Sequence, residues 1–227
     1  MLALVIALGV AAPIRIWPLG DSITHRGCWR AYLWRQLQQD GYTGIDFTGT
    51  LNDCNHCDQC NNFQYDHDHE GHGGFLITNI AAGNYGQDPK GGTFDQWIAV
   101  GKPDITLMLF GTNDCMANKA TTSIISAYTW ALQKMRTSNP KVHLIVSKVL
   151  PVDQSLNQIK ALNTAIDTWA AQQTTKDSPI VVVDQFTGIN TKTDLYDGIH
   201  PGDSGQQKYY KNLIKPVETS LDAKKTT

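Results

Sequence analysis

At 227 residues, with 41% hydrophobic and 18% charged positions, the chain suits one well-buried globular domain and does not demand two. Its 19 Lys+Arg against 21 Asp+Glu leave a formal charge of -2 and no basic block, which argues against a nucleic-acid or anionic-membrane partner. No apolar stretch reaches the ~20 residues needed to span a bilayer.

The chain opens with the apolar run "MLALVIALGVAAP". Its length and small-residue end read as a signal peptide over residues 1–12, cleaved at Ala12, ahead of a single domain over 13–227. The run lacks Lys or Arg in front of it and is followed by Pro13, so a buried first strand is the rival reading. Secretion is favoured because a second strand-like run, Ile14–Leu19, follows at once.

Further β-branched apolar runs occur at Ile45–Gly49, Ile105–Phe110, Val142–Val149 and Ile180–Asp184. Helical stripes lie between them. Trp29, Leu33 and Leu37 precede Gly41, and Ile124, Tyr128, Ala131 and Met135 end before Pro140. Leu156, Ile159, Leu162, Ile166 and Trp169 form a third stripe. A last helix opens at Ser204, with Gln207 in capping-box spacing. Strands alternating with helices, and strands apolar on both faces, predict one α/β domain with a parallel sheet covered on both sides.

The segment from Leu51 to Gly74 has no clear period and is rich in Asn, Asp, His and Gly. Loops of this length are mostly functional or disordered. It carries Cys54, Cys57 and Cys60 of the five cysteines, with Cys28 and Cys115 elsewhere. The spacing suggests a metal site, but no second cluster completes one and a secreted chain favours disulfides. Cys28 is therefore expected to pair with Cys54, Cys57 or Cys60, and an odd count leaves at least one thiol free. His67, His69 and His72 alternate with carboxylates, so a structural calcium ion in this loop stays open; no other cofactor or metal is expected.

Three polar motifs fall just after strands, where an open parallel sheet binds its ligands. Ser22 in "GDSIT" follows the first run, "GTND" the third, and "LYDGIHPGDSG" the fifth. A serine hydroxyl needs a base to take its proton, and His200 is the best candidate of the seven histidines. Pro201 holds His200 in a loop, and Asp197, three residues earlier, can fix its tautomer. An oxyanion needs donors, available from the Asn113 amide and from backbone N–H groups at Ser22 and in "HEGHGG". Singly, each residue is better explained as turn or loop chemistry, including Asp21 and Asp114. Together, in order and at strand ends, they point to nucleophilic catalysis.

"GDSIT" (20–24), "HEGHGG" (69–74), "GTND" (111–114) and "DGIHP" (197–201) resemble the four signature blocks of the SGNH/GDSL hydrolases. "DHEGHGG" is most similar to carbohydrate esterase family three, the acetyl xylan esterases. The resemblance implies a three-layer flavodoxin-like α/β/α sandwich with a five-stranded parallel sheet. It implies Ser22 as nucleophile, Asp197 and His200 as its partners, and an oxyanion hole of Ser22 N–H, Gly74 and Asn113. Gly73 stands where that block commonly has Ser. The function expected is a secreted, monomeric serine esterase, without nucleic-acid or membrane partners, acting on acetylated polysaccharide or a small ester. A lipid esterase, lysophospholipase or thioesterase is the alternative chemistry, and a non-catalytic carbohydrate- or metal-binding domain the alternative class.

Overall fold

A computed structural model describes residues 12–60, 62–85 and 92–226. The expected leader, apart from Ala12, lies outside them. Among the described residues six strands occur: β1 (Ile14–Gly20), β2 (Ile45–Phe47), β3 (Glu70–Gly71), β4 (Ile105–Leu109), β5 (His143–Ser147) and β6 (Ile180–Val183). The helices are α1 (Ser22–His25), α2 (Trp29–Gln39), α3 (Ile77–Ala81), α4 (Phe94–Gly101), α5 (Thr112–Met116), α6 (Thr121–Ser138), α7 (Leu156–Gln173) and α8 (Asp203–Lys225). Among the described residues no helix is long and apolar enough to cross a membrane.

The sheet is parallel in the order β2-β1-β4-β5-β6, so the five expected strands form its main path. Alternate residues feed two cores, which is why these runs are apolar throughout. Ile16, Ile105, Leu107, Leu109 and Ile145 pack with α2 and α8, through Trp29, Leu33, Leu37, Leu213 and Val217. Trp17, Leu19, Met108, Leu144 and Val146 face the other way, with Trp97, Ile124, Tyr128, Ile159 and Trp169. The result is an α/β/α sandwich.

β3 escaped the sequence reading because two residues carry no period. It pairs with the end of β1, Leu19 to Glu70 and Gly20 to Gly71, beyond the point where β2 stops at Ile16–Phe47. That gap explains a proline in a central strand. The carbonyls of Ile16 and Gly20 both accept on that side, from Thr48 and His72, so Pro18 would have donated into the space between. The capping box expected at Ser204 does not form. α8 starts one residue earlier from Gly202, and Ser204 Oγ donates instead to Asp194 Oδ1 (2.7 Å) and the Thr193 carbonyl (3.1 Å).

The 51–74 segment is tied down covalently. Cys28 pairs with Cys60 and Cys54 with Cys57, leaving Cys115 free and buried. Burial pushes the Cys115 thiol up to about 12, so it is unreactive. The guanidinium of Arg30, fully buried in α2, adds a polar clamp on the carbonyls of His67 (2.8 Å), His25 (3.1 Å) and Asp53 (3.4 Å). Closing a 32-residue separation should stabilise the fold by roughly 3–4 kcal/mol on the chain-entropy view. Cys28→Ser/Cys60→Ser is therefore expected to lower the melting temperature by about 6–16 °C in non-reducing calorimetry. An unchanged Tm would show that the Cys28–Cys60 bond does not limit the stability of the fold.

Candidate active site

The strand order reverses between β1 and β4, and the loops beyond their carboxyl ends form the crevice expected at such a switch point. Ser22 lies two residues past the end of β1, after Asp21, as the first residue of α1. Only glycine permits the approach to it: a Cβ on Gly20 would sit 2.2 Å from Thr24 Oγ1 and 2.4 Å from the Leu109 carbonyl. Asp21, fully buried, caps α1 by accepting from the Ile23 N–H at 2.9 Å.

The loop after β6 brings His200 to Ser22, Nε2 to Oγ at 2.8 Å, and Asp197 to His200, Oδ2 to Nδ1 at 2.7 Å. An ionised Asp197 can only accept, so Nδ1 carries the proton and Nε2 offers its lone pair to the serine O–H. This is the tautomer that removes a serine proton. Asp197 Oδ1 also accepts from the backbone N–H groups of His200 (2.8 Å) and Ile199 (3.0 Å), so the acid shapes its own loop. Burial draws the His200 ring below the ordinary histidine value, while the hydrogen bond and charge of Asp197 draw it back up. Burial opposes the charge on Asp197, but the His200 N–H, the His200 ring and the Ile199 N–H outweigh it and hold its pKa below normal.

Asn113, at the start of α5, donates through Nδ2 to the Phe75 carbonyl at 3.2 Å and, loosely, to Asp21 Oδ2 at 3.4 Å. Gly74, one residue before Phe75, has φ +80 and is exposed. The N–H groups of Ser22 and Gly74 have no acceptor among the described residues. A Cβ on Gly73 would meet only Ser22 Cβ, at 3.9 Å, so a serine there would fit and nothing local demands the glycine.

Supporting residues surround this group: Asp194, which carries no signal in the sequence, and Asp114 and Asp21, expected there as turn chemistry. Buried Asp194 accepts from Asn190 N–H (2.8 Å), Lys208 Nζ (2.7 Å) and Ser204 Oγ (2.7 Å), anchoring the loop that carries Asp197 and His200. Burial alone would raise its pKa, but those donors hold it at about 2. Asp114 accepts from the Ile77 and Thr78 N–H groups and from Thr78 Oγ1 (3.0, 3.1 and 2.7 Å), docking α3 against α5. Burial, with Asp114 nearby, raises Asp21 to about 7 even though the Ile23 N–H works the other way.

The histidines of the long loop are structural supports. His72 Nε2 meets Glu70 Oε1 at 2.7 Å, both residues buried, and its ring packs against Trp97 and Phe75, which also touch each other. His25, Asp53 and His69 are close enough to share a metal ion. However, His69 Nδ1 accepts from the Gly71 N–H, so its Nε2 is the protonated nitrogen and donates to the Asp53 carbonyl at 2.7 Å. That ring has no lone pair left for a metal.

The chain matches the GDSL-like lipase/acylhydrolase family over residues 19–208. It is 32% identical over 231 residues to a multidomain esterase of Ruminococcus flavefaciens, covering 94% of this chain but only 29% of that protein's length. A crystal structure of an acetyl esterase mutant with acetate ion superposes at TM-score 0.81 with 35% identity, covering 92% of this chain and 99% of that one. A carbohydrate esterase family 3 structure from Talaromyces cellulolyticus gives TM-score 0.80 and 36% identity over the same shares.

Proposed function

Because this chain belongs to the GDSL-like lipase/acylhydrolase family, we propose that its carboxylic ester hydrolase chemistry removes acetyl groups from plant cell-wall polysaccharide such as xylan. Ester hydrolysis as such rests on the family and on the likeness to acetyl and family 3 carbohydrate esterases. The serine mechanism is supported by one observation, the continuous relay from Ser22 Oγ through His200 to Asp197, and the acetyl and carbohydrate preference by the likeness to those esterases.

In this mechanism Ser22 Oγ attacks the ester carbonyl as its proton passes to His200 Nε2. The oxyanion is received by the N–H groups of Ser22 and Gly74 and by Asn113 Nδ2, which exchanges its long contact to Asp21 for the developing charge. On collapse, the proton on His200 passes to the sugar oxygen as it leaves, giving the free hydroxyl and an acyl-Ser22. Water, deprotonated by His200, attacks the acyl group; collapse returns the proton to Ser22 and releases the carboxylic acid. No step needs a cofactor. The pair of disulfides supports a secreted protein working in an oxidising compartment.

A serine-directed phosphonate should label Ser22 alone, and turnover should fall from acetyl to butyryl to octanoyl esters while acetylated xylan is deacetylated. Preference for octanoyl esters would favour a lipid substrate, and no labelling would refute the serine mechanism. Asn113→Ala is expected to lower kcat by roughly 10²–10³ with KM nearly unchanged, the cost of one oxyanion donor. A raised KM with kcat intact would assign Asn113 to ground-state binding.

A further inference from the structure

Beside His200 lies a cavity of about 300 Å³ that none of the steps above uses. Its walls come from the disulfide-bonded loop, through His56, Asp58 and Gln59, and from the histidine loop and α8, through Tyr196, Asp203 and Gln206. Tyr196 is the partition. Its ring stacks on His200 (centroids 5.7 Å apart, 18° between planes) and meets His56 on the cavity side at 5.4 Å. Although it belongs to the site's loop, Tyr196 is 48% exposed.

The place of this cavity in the reaction follows from the proton path. His200 must deliver a proton to the leaving oxygen, so the alcohol half of the ester lies on the His200 side, whereas the acyl oxygen turns toward Asn113. A cavity one ring beyond His200 is therefore on the leaving-group side. We propose that it is a subsite for a sugar residue neighbouring the one deacetylated; this rests on the polysaccharide reading above.

The chemistry of the walls selects the occupant. The carboxylates of Asp58 and Asp203 make no hydrogen bond or ion pair among the described residues. Carboxylates only accept, and sugar hydroxyls donate. An acyl chain seated there would strip water from two charges without replacing its hydrogen bonds, and a phosphate headgroup would be repelled. A neutral polyhydroxylated ring satisfies both groups. The wall is also fixed in advance. Gln206 Oε1 accepts from the Cys28 N–H and its Nε2 donates to the Pro201 carbonyl at 3.0 Å, while the Gly27 N–H donates to the Asn55 carbonyl at 2.9 Å. With both disulfides, these bonds restrain the loop before substrate arrives, which lowers the entropic cost of binding.

The test uses the full chain with p-nitrophenyl acetate and an acetylated xylotriose. For Asp58→Ala/Gln59→Ala and for Asp203→Asn, KM for the trisaccharide should rise about 10–100-fold, the worth of one lost hydrogen bond to a charged group. Both constants for p-nitrophenyl acetate should stay within about twofold. Unacetylated xylotriose should inhibit wild-type cleavage of p-nitrophenyl acetate competitively, and the variants should need more of it. Equal losses on both substrates, or a trisaccharide KM unchanged in both variants, would overturn the subsite. If the wild type cleaves p-nitrophenyl acetate but not the trisaccharide, the polysaccharide reading itself fails. If the trisaccharide is cleaved and the variants match the wild type, only the subsite does.

Discussion

Ser22→Ala is expected to lower kcat/KM by roughly 10⁴- to 10⁶-fold while leaving the fold intact, the loss found when the nucleophile of a serine triad is removed. The structure offers no substitute. Among the described residues, the hydroxyl that meets His200 Nε2 is that of Ser22, and the nearest other hydroxyl on α1, Thr24 Oγ1, packs back against Gly20. The stability cost should be small. Ser22 is almost buried, yet α1 is capped by Asp21 and the strand end is pinned by the Asp21 and His72 backbone N–H groups. The change removes one hydrogen bond, worth about 1 kcal/mol, and opens little space. Equilibrium unfolding should therefore be nearly superimposable on wild type. Activity within about tenfold of wild type, from protein with an unchanged melting temperature, would exclude Ser22 as nucleophile.

The elements visible in the sequence were those whose burial repeats. All five strands of the main path and the helices α2, α6 and α7 carry apolar residues at the spacing their two cores demand. Short elements carry no such signal. α3 is five residues long and is held by Asp114, and β3 is two residues long and is held by the end of β1. The polar motifs stood out because three of them fall in order just after strands, although each residue singly is ordinary turn chemistry. The shell behind them was illegible for the opposite reason. Arg30, Asp194 and the Glu70–His72 pair look like ordinary surface residues until the fold buries them: Arg30 meets backbone carbonyls, Asp194 gathers Asn190, Ser204 and Lys208, and no local period announces either set. The misplaced cap at Ser204 has the same origin. Asp194, ten residues back, competes for the hydroxyl and wins.

Asp197→Ala should retain about ten- to a hundredfold more activity than His200→Ala or Ser22→Ala, because the acid has partial substitutes and the base has none. His200 moves protons in both half-reactions, and its removal leaves Ser22 without an acceptor. The side chain of Asp197 is 39% exposed, so water can enter and accept from Nδ1–H, preserving part of the tautomer preference. Nor should its loss dissolve the loop. Asp194 still gathers Asn190, Ser204 and Lys208, and the Tyr196 N–H still donates to the His200 carbonyl. The pH profile supplies the sign. Burial already places the His200 pKa below its ordinary value, and Asp197 is what raises it, so the variant's ring must titrate lower still. Catalysis requires the neutral ring, so the acid limb of kcat/KM moves to lower pH in Asp197→Ala, although the plateau drops. Any ionisation belonging to Asp21, with its pKa of about 7, should stay where it is. Measured from pH 5 to 9, an acid limb that moves up would contradict this electrostatic account. Activity of Asp197→Ala as low as that of His200→Ala would reverse the ranking of the two residues. Substantial turnover by His200→Ala would remove His200 from the triad altogether.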